Sequence, residues 1–310
     1  MGSGREGTIR TEVTRGAITG VAAGVPYVAL RPAADGKEAP LVVAWHQVDP
    51  PRTEAAMAAA LPMTGVPAWR LYFGLPMLGA RTPAGGFEEV MAHMQEDIAL
   101  KLLGPIIERA AAEARAAIDV VRAELGIDDG PIGVVGGSAG SAVALLLLAE
   151  GALSVTAAAL VSPVVQLAPV VELYAPAYGW RAESQALARR LDFVARASDI
   201  AGRDPQPAVL QVSGARDHAA FREPARALHD ALAGLYADPD RLAVRTVPGM
   251  RHALAEAPGI EPAPQTEDAK RVDAEVSEWF RRHLDHLRPP AEAGPGTTDR
   301  SGAPPDVEPS

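Results

Sequence analysis

The sequence contains no cysteine. That excludes a disulfide framework, a thiolate metal site and a cysteine nucleophile, and it fits a reducing cytoplasm, the expected location. Basic residues are in deficit: 29 Lys and Arg stand against 39 Asp and Glu, for a formal charge of −10. This balance argues against nucleic acid or an anionic membrane surface as a partner, and no Arg/Lys stripe is interleaved with aromatics. No apolar run reaches about 18 residues free of charges or breakers, so no membrane span is expected. The opening, MGSGREGTIRTEV, lacks the apolar core of a signal peptide.

What is present is ordinary for a globular protein. Apolar residues make up 48% and charged residues 22%, close to the soluble average, so a large core can be buried. The apolar excess is mostly alanine, a helix former. A chain of 310 residues allows one large α/β domain or two small ones. No internal repeat is visible.

Strand and helix patterns alternate, which predicts a mostly parallel central sheet with helices on both faces. TIRTEVTRG and PYVALRP predict an opening antiparallel pair. PLVVAWHQ reads as a strand buried on both faces, RTEAAMAAAL as a helix with Thr53 as N-cap, and PAWRLYFGLP as the next strand. Residues 87–125 are helical in pattern, with a break or kink expected at Gly104-Pro105. PIGVVGG, LSVTAAALVSP, PAVLQVSG and LAVRTVPG predict further strands, and SAVALLLLAE, FREPARALHDALAGL and EDAKRVDAEVSEWFRRHLDHL predict helices. Residues 163–204 fit the rhythm less well and are expected to form a small cap-like insertion. The expected organisation is a flexible N-terminus at 1–8, one domain at 9–288 and a disordered tail at 289–310, which is too poor in bulky apolar residues to offset its ordering entropy.

The stretch GVVGGSAGSA, residues 133–142, places Ser138 between Gly136 and Gly140 where a buried strand hands over to a buried helix. In a G-x-S-x-G turn the serine takes a strained backbone geometry, and small residues two positions away let strand and helix approach. The serine side chain then stands at the carboxyl end of the sheet, and the following N–H, here of Ala139, points at a developing oxyanion. A glycine-rich turn that happens to contain serine is the alternative. A nucleotide loop is disfavoured, because GGSAGS lacks the third glycine of G-x-G-x-x-G and the Lys of a P-loop.

A serine hydroxyl needs a base, and the base an orienting acid. In this architecture they follow in the order Ser, acid, His. Asp217 lies just past the PAVLQVSG strand; its alternative role is to cap a helix N-terminus. His252 follows the last predicted strand behind a Pro-Gly turn, with an ordinary loop histidine as the alternative. Of the seven histidines, His229, His283 and His286 fall on predicted helices and His93 precedes the serine on one. His218 is the one rival, but a side chain adjacent to the acid points elsewhere. A second oxyanion donor is expected in the loop Trp45-His46-Gln47-Val48-Asp49-Pro50-Pro51, where the backbone N–H of Gln47 is the candidate. His46 is expected to be structural. No metal and no cofactor is required.

These residues resemble the α/β-hydrolase family over about residues 8–288. Within it, the chain is similar to single-domain bacterial esterases related to dienelactone hydrolase and to the catalytic domain of prolyl oligopeptidases. The carriers are RLYFGLPMLGAR, GIDDGPIGVVGGSAGS and VLQVSGARDHAAF. Departures fall at Gln47, where glycine is usual, at Leu75-Pro76 for Asp-Pro, at Pro131 for Arg and at Ser213 for His. The resemblance implies Ser138 as nucleophile, Asp217 as acid and His252 as base, acting on a small-molecule ester. A peptidase or thioesterase on the same residues is the alternative, with a non-catalytic ligand-binding relative behind it. Tyr174, Tyr178 and Trp180 of the cap region either cover the pocket or pack on the sheet.

Overall fold

In the computed structural model, residues 11–14, 16–33 and 39–284 are described. The expected flexible N-terminus at 1–8 and disordered tail at 289–310 lie outside them. The chain opens on an antiparallel meander of β1 (Thr11–Thr14), β2 (Ala17–Ala22) and β3 (Val25–Leu30). The patterning predicted two strands here, and there are three. The extra one, β2, reads Ala-Ile-Thr-Gly-Val-Ala, with little bulk and a central glycine. Gly20 pairs with Tyr27, and a Cβ at position 20 would meet the tyrosine ring at 2.9 Å. The ring therefore covers what the glycine leaves bare. Ala23 and Gly24 join β2 to β3 with φ of 48° and 81°, as a two-residue hairpin turn with the sheet's own twist demands.

Next come β4 (Leu41–Trp45), α1 (Glu54–Ala60) and β5 (Trp69–Phe73). Thr53 caps α1 as expected, its side chain accepting from the Ala56 N–H at 3.1 Å. β4 pairs in parallel with β5 on one side and with β6 (Ile132–Gly137) on the other. All five β4 residues are buried, which is why the run is apolar without alternation. β7 (Val155–Val161), β8 (Ala208–Gly214) and β9 (Leu242–Val247) then add in parallel. The resulting nine-stranded order is β1-β2-β3-β5-β4-β6-β7-β8-β9.

Between β5 and β6 lie α2 (Gly86–Asp97), a π-helical turn (Ile98–Leu103) and α3 (Gly104–Leu125). The break was expected at Gly104-Pro105 but begins at Asp97, whose backbone leaves the helix at φ −161°, ψ 91°. Its carboxylate accepts from the Leu100 N–H at 2.8 Å and restarts the coil. Pro105 sits in the first turn of α3, where a missing donor costs nothing.

α4 (Ala139–Glu150) follows β6 and is buried from Ala139 to Ala149. Residues 163–204 hold α5 (Leu167–Tyr174), α6 (Ala182–Arg190) and α7 (Ala197–Ala201). Asp97 ties this region to the end of α2: it accepts from the Tyr178 hydroxyl at 2.6 Å and pairs with Arg181. Tyr178 meets Trp180 edge to face, with centroids 4.9 Å apart. α8 (Ala219–Ala233) and α9 (Glu267–Leu284) complete the chain. Apolar side chains of α1 and α9 fill one face of the sheet; those of α3, α4, α7 and α8 fill the other. Among the described residues no helix is long and apolar enough to cross a membrane.

Candidate active site

Ser138 stands between the last residue of β6 and the first of α4, with φ 49° and ψ −117°. A non-glycine residue there carries strain on the order of 1–3 kcal/mol and persists only where its surroundings over-determine it. The surroundings are visible. The Ser138 N–H donates to Val161 O at 2.9 Å, and Ser138 O accepts from the Ser141 N–H at 2.9 Å and from the Ser141 hydroxyl. Ser141 Oγ in turn accepts from the Val164 N–H at 2.9 Å. The flanking glycines are required by close approach. A Cβ on Gly136 would lie 2.2 Å from Gly140 O, and one on Gly140 would lie 2.5 Å from Trp45 O.

The loops after β8 and β9 are strapped together. Ala215 N–H donates to Val247 O at 3.0 Å and Arg216 N–H to Met250 O at 2.9 Å. These straps bring Asp217 and His252 to the serine. His252 Nδ1 lies 2.9 Å from Asp217 Oδ2 and 3.1 Å from Oδ1, and its Nε2 lies 2.9 Å from Ser138 Oγ. An ionised carboxylate only accepts, so Nδ1 carries the proton and Nε2 is left to accept from the serine hydroxyl. The Asp217 side chain is 1% exposed and that of His252 15%. Phe221 stacks on the imidazole with centroids 4.0 Å apart. The helix cap foreseen as an alternative for Asp217 is supplied by His218, whose Nδ1 accepts from the Ala220 N–H at 3.1 Å. His218 is thereby occupied away from the serine.

The loop after β4 supplies the roof. Ala139 N–H has no hydrogen-bond partner among the described residues, as an oxyanion donor requires. The Gln47 N–H, expected to be the second donor, donates to Pro51 O at 3.1 Å instead. The turn through Pro50 and Pro51 folds back on it, a contact no local pattern announces. One residue on, the half-exposed Val48 has an N–H without a partner among the described residues.

The Gln47 side chain has its own place. It is fully buried, and its Cγ lies where a Cβ on Gly137 would approach to 2.7 Å. Its Nε2 donates to His252 O at 3.3 Å. Gln47 thus positions the His252 loop, and the glycine at 137 makes room for it. Gln47→Met, which keeps the volume and loses the donor, is expected to lower kcat about three- to tenfold, the worth of one neutral hydrogen bond, with little change in melting temperature. Gln47→Gly is expected to add a stability loss of about 2 kcal/mol through the cavity it opens. Steady-state kinetics and urea unfolding of both variants separate the two effects.

His46 is structural, as expected. Nδ1 donates to Gln47 O at 2.7 Å and Nε2 accepts from the Leu75 N–H at 2.9 Å, an arrangement open only to the neutral ring. Burial first, and then the Arg81 charge, push its pKa down to about 4 against the pull of the Gln47 carbonyl. A depressed pKa in the folded state means that the unfolded chain binds the extra proton. Stability is therefore full above pH 6.5 and falls as the pH drops toward 4, by up to about 3 kcal/mol. Urea unfolding across that window checks this, and His46→Gln is expected to flatten the His46 contribution.

Asp49 was not singled out in the sequence, yet its Oδ2 lies 3.8 Å from His252 Nε2. Tyr174 is near enough that burial, then Asp49 and Asp217, push its hydroxyl up to about 12. Among the described residues no group of His, Asp or Glu is placed to hold a metal ion.

No protein-family model matches the chain, and no curated protein matches its sequence. Solved structures do. TT1662 from Thermus thermophilus aligns with a TM-score of 0.57 at 22% identity, over 88% of this chain and 98% of that one. Est1E from Butyrivibrio proteoclasticus, solved with ferulic acid bound, aligns at 0.56 with 14% identity, over 84% and 97%. The acylaminoacyl peptidase of Pyrococcus horikoshii aligns at 0.55 with 13% identity; the alignment takes in 91% of this chain but 42% of that longer one. The chain has the α/β-hydrolase fold that these structures share.

Proposed function

We propose that the protein is a serine hydrolase that cleaves a small carboxylic ester through an acyl-enzyme intermediate. The observation that carries this reading is the continuous chain of contacts from Ser138 Oγ through His252 to Asp217. His252 Nε2 takes the hydroxyl proton as Ser138 Oγ attacks the carbonyl carbon. Asp217 holds the tautomer and stabilises the imidazolium that forms. The N–H groups of Ala139 and Val48 take up the oxyanion, each worth about 2.7–4 kcal/mol of barrier. His252 then gives its proton to the departing alkoxide, and a water, activated by the same nitrogen, releases the acid and restores Ser138.

A second reading, amide hydrolysis on the same residues, is favoured by the likeness to the acylaminoacyl peptidase. Matched ester and anilide substrates separate the two. The test of the shared premise is labelling with a fluorophosphonate, read by intact mass. One adduct per chain is expected, and folded protein that takes up none overturns the reading.

A further inference from the structure

We infer that Asp49 sets the charge of the departing group, so that the site prefers esters whose alcohol carries a positive charge and discriminates against anionic ones. The inference rests on the hydrolase reading above and narrows its substrate class.

Position comes first. Nε2 of His252, 2.9 Å from Ser138 Oγ, is the atom that hands a proton to the leaving oxygen. The Asp49 carboxylate is 3.8 Å from that same atom, and its side chain is 40% exposed. It therefore borders the path of the departing alcohol and can be reached from solvent.

The backbone beside the carboxylate is also held in place. Pro50 O accepts from the N–H groups of Leu254 and Ala255 at 3.0 and 3.4 Å, and Arg52 N–H donates to Gly259 O at 2.7 Å. Together with the bond from Gln47 N–H to Pro51 O, these contacts fix the backbone on the C-terminal side of Asp49 against the loop that carries His252. A charge on a fixed backbone discriminates better than one on a free loop, because less ordering is needed when the partner arrives.

Third, among the described residues no Lys or Arg comes within ion-pair distance of Asp49, and the His252 imidazole is the one basic ring it meets. Arg222 Nε donates to Asp217 O at 2.9 Å, and Arg52 lies over the Phe87 ring at 5.3 Å. Asp217 is sealed behind the imidazole and cannot serve a substrate. What faces the departing group is one free carboxylate with the half-exposed ring of Tyr174 nearby. A carboxylate beside an aromatic ring recognises organic cations.

The test compares the acetates of choline, of its uncharged carbon isostere and of the matching sulfonate. Each kcat/KM is divided by the rate of hydroxide hydrolysis, to remove leaving-group reactivity. In low salt the wild type is expected to favour the cation over the neutral ester by about tenfold, the effect of one charge some 6 Å away in a partly solvated site. The sulfonate is expected to fall about as far below the neutral ester. Asp49→Asn is expected to bring these ratios toward one, and Asp49→Lys to invert them. If acetate turnover is too slow to follow, the rate of Ser138 labelling by phosphonates bearing the same three leaving groups gives the same ratios. Equal ratios in the wild type, or ratios that Asp49→Asn leaves in place, overturn the inference. So does a uniform change across all three esters, which would mark Asp49 as a support for the imidazolium alone. Loss of both labelling and turnover in the wild type would instead remove the hydrolase reading beneath it.

Discussion

Ser138→Ala is expected to lower ester hydrolysis by a factor of about 10⁴ or more and to abolish the fluorophosphonate adduct. The size follows from what the hydroxyl does in the proposed cycle. Without Oγ no acyl-enzyme forms, and His252 has nothing to deprotonate except water. Loss of a single member of such a trio costs nearly as much as loss of all three, because they act as a unit. A residual rate is expected from Ala139 and Val48, which still bind an oxyanion. The fold is expected to survive. The Ser138 side chain does not cap α4, and the bonds that hold the turn come from backbone groups and from Ser141. Alanine can occupy the same strained φ at a cost like that of serine. A melting temperature within a few degrees of the wild type, with the adduct gone, is the expected pair of results. An adduct that persists in the variant would place the reactive group elsewhere.

Gly136→Ala is expected to be the most damaging single-methyl change near the site. The added carbon would lie 2.2 Å from Gly140 O and 2.3 Å from Ser141 Cα. Both are backbone atoms of a buried helix, and Gly136 is itself hydrogen-bonded into a strand with neighbours on both sides. Over-packing against movable side chains costs about 1–3 kcal/mol. Here the strand or the helix must shift, and a loss of about 3 kcal/mol or more is expected, enough to threaten folding in a marginally stable domain. Gly130→Ala is the control: its added carbon meets one atom, Ala39 O, at 4.0 Å, and a change within about 0.5 kcal/mol is expected. Urea unfolding of the two variants gives the comparison. A Gly136→Ala protein as stable as the control would mean that β6 and α4 do not approach as closely as described.

Much of this was legible in the chain because the signals are local. A strand buried on both faces in a parallel sheet is apolar throughout, and LVVAW and IGVVGG are. A serine on a tight strand-to-helix turn needs small neighbours, and GGSAG supplies them. The convergence of Ser138, Asp217 and His252 follows from parallel strands that all end on one side, so each loop after a strand opens toward the same place. What was not legible depends on distant partners. β2 is short and interrupted by Gly20, whose bare face is completed by Tyr27 on the next strand. Asp97 ends α2 ahead of the proline because Leu100, Tyr178 and Arg181 all converge on it. The Gln47 N–H is taken by a carbonyl four residues later, which moves the free amide to Val48. Asp49 carries no motif, and its place beside His252 depends on how the loops after β4 and β9 pack together.

The sheet order also has a cost in time. β4 is apolar from end to end, and its two neighbours in the sheet are β5 and β6. β5 follows soon after it in the chain, but β6 begins only at Ile132. At ordinary rates of synthesis the ribosome takes on the order of ten seconds to cover that interval. Throughout it, a nascent chain offers one open edge of a greasy strand to whatever is nearby. The long helical stretch made in the meantime can shield its faces but cannot satisfy its peptide groups. The last of the three site residues emerges later still, so the turn that holds Ser138 is built well before His252 can reach it.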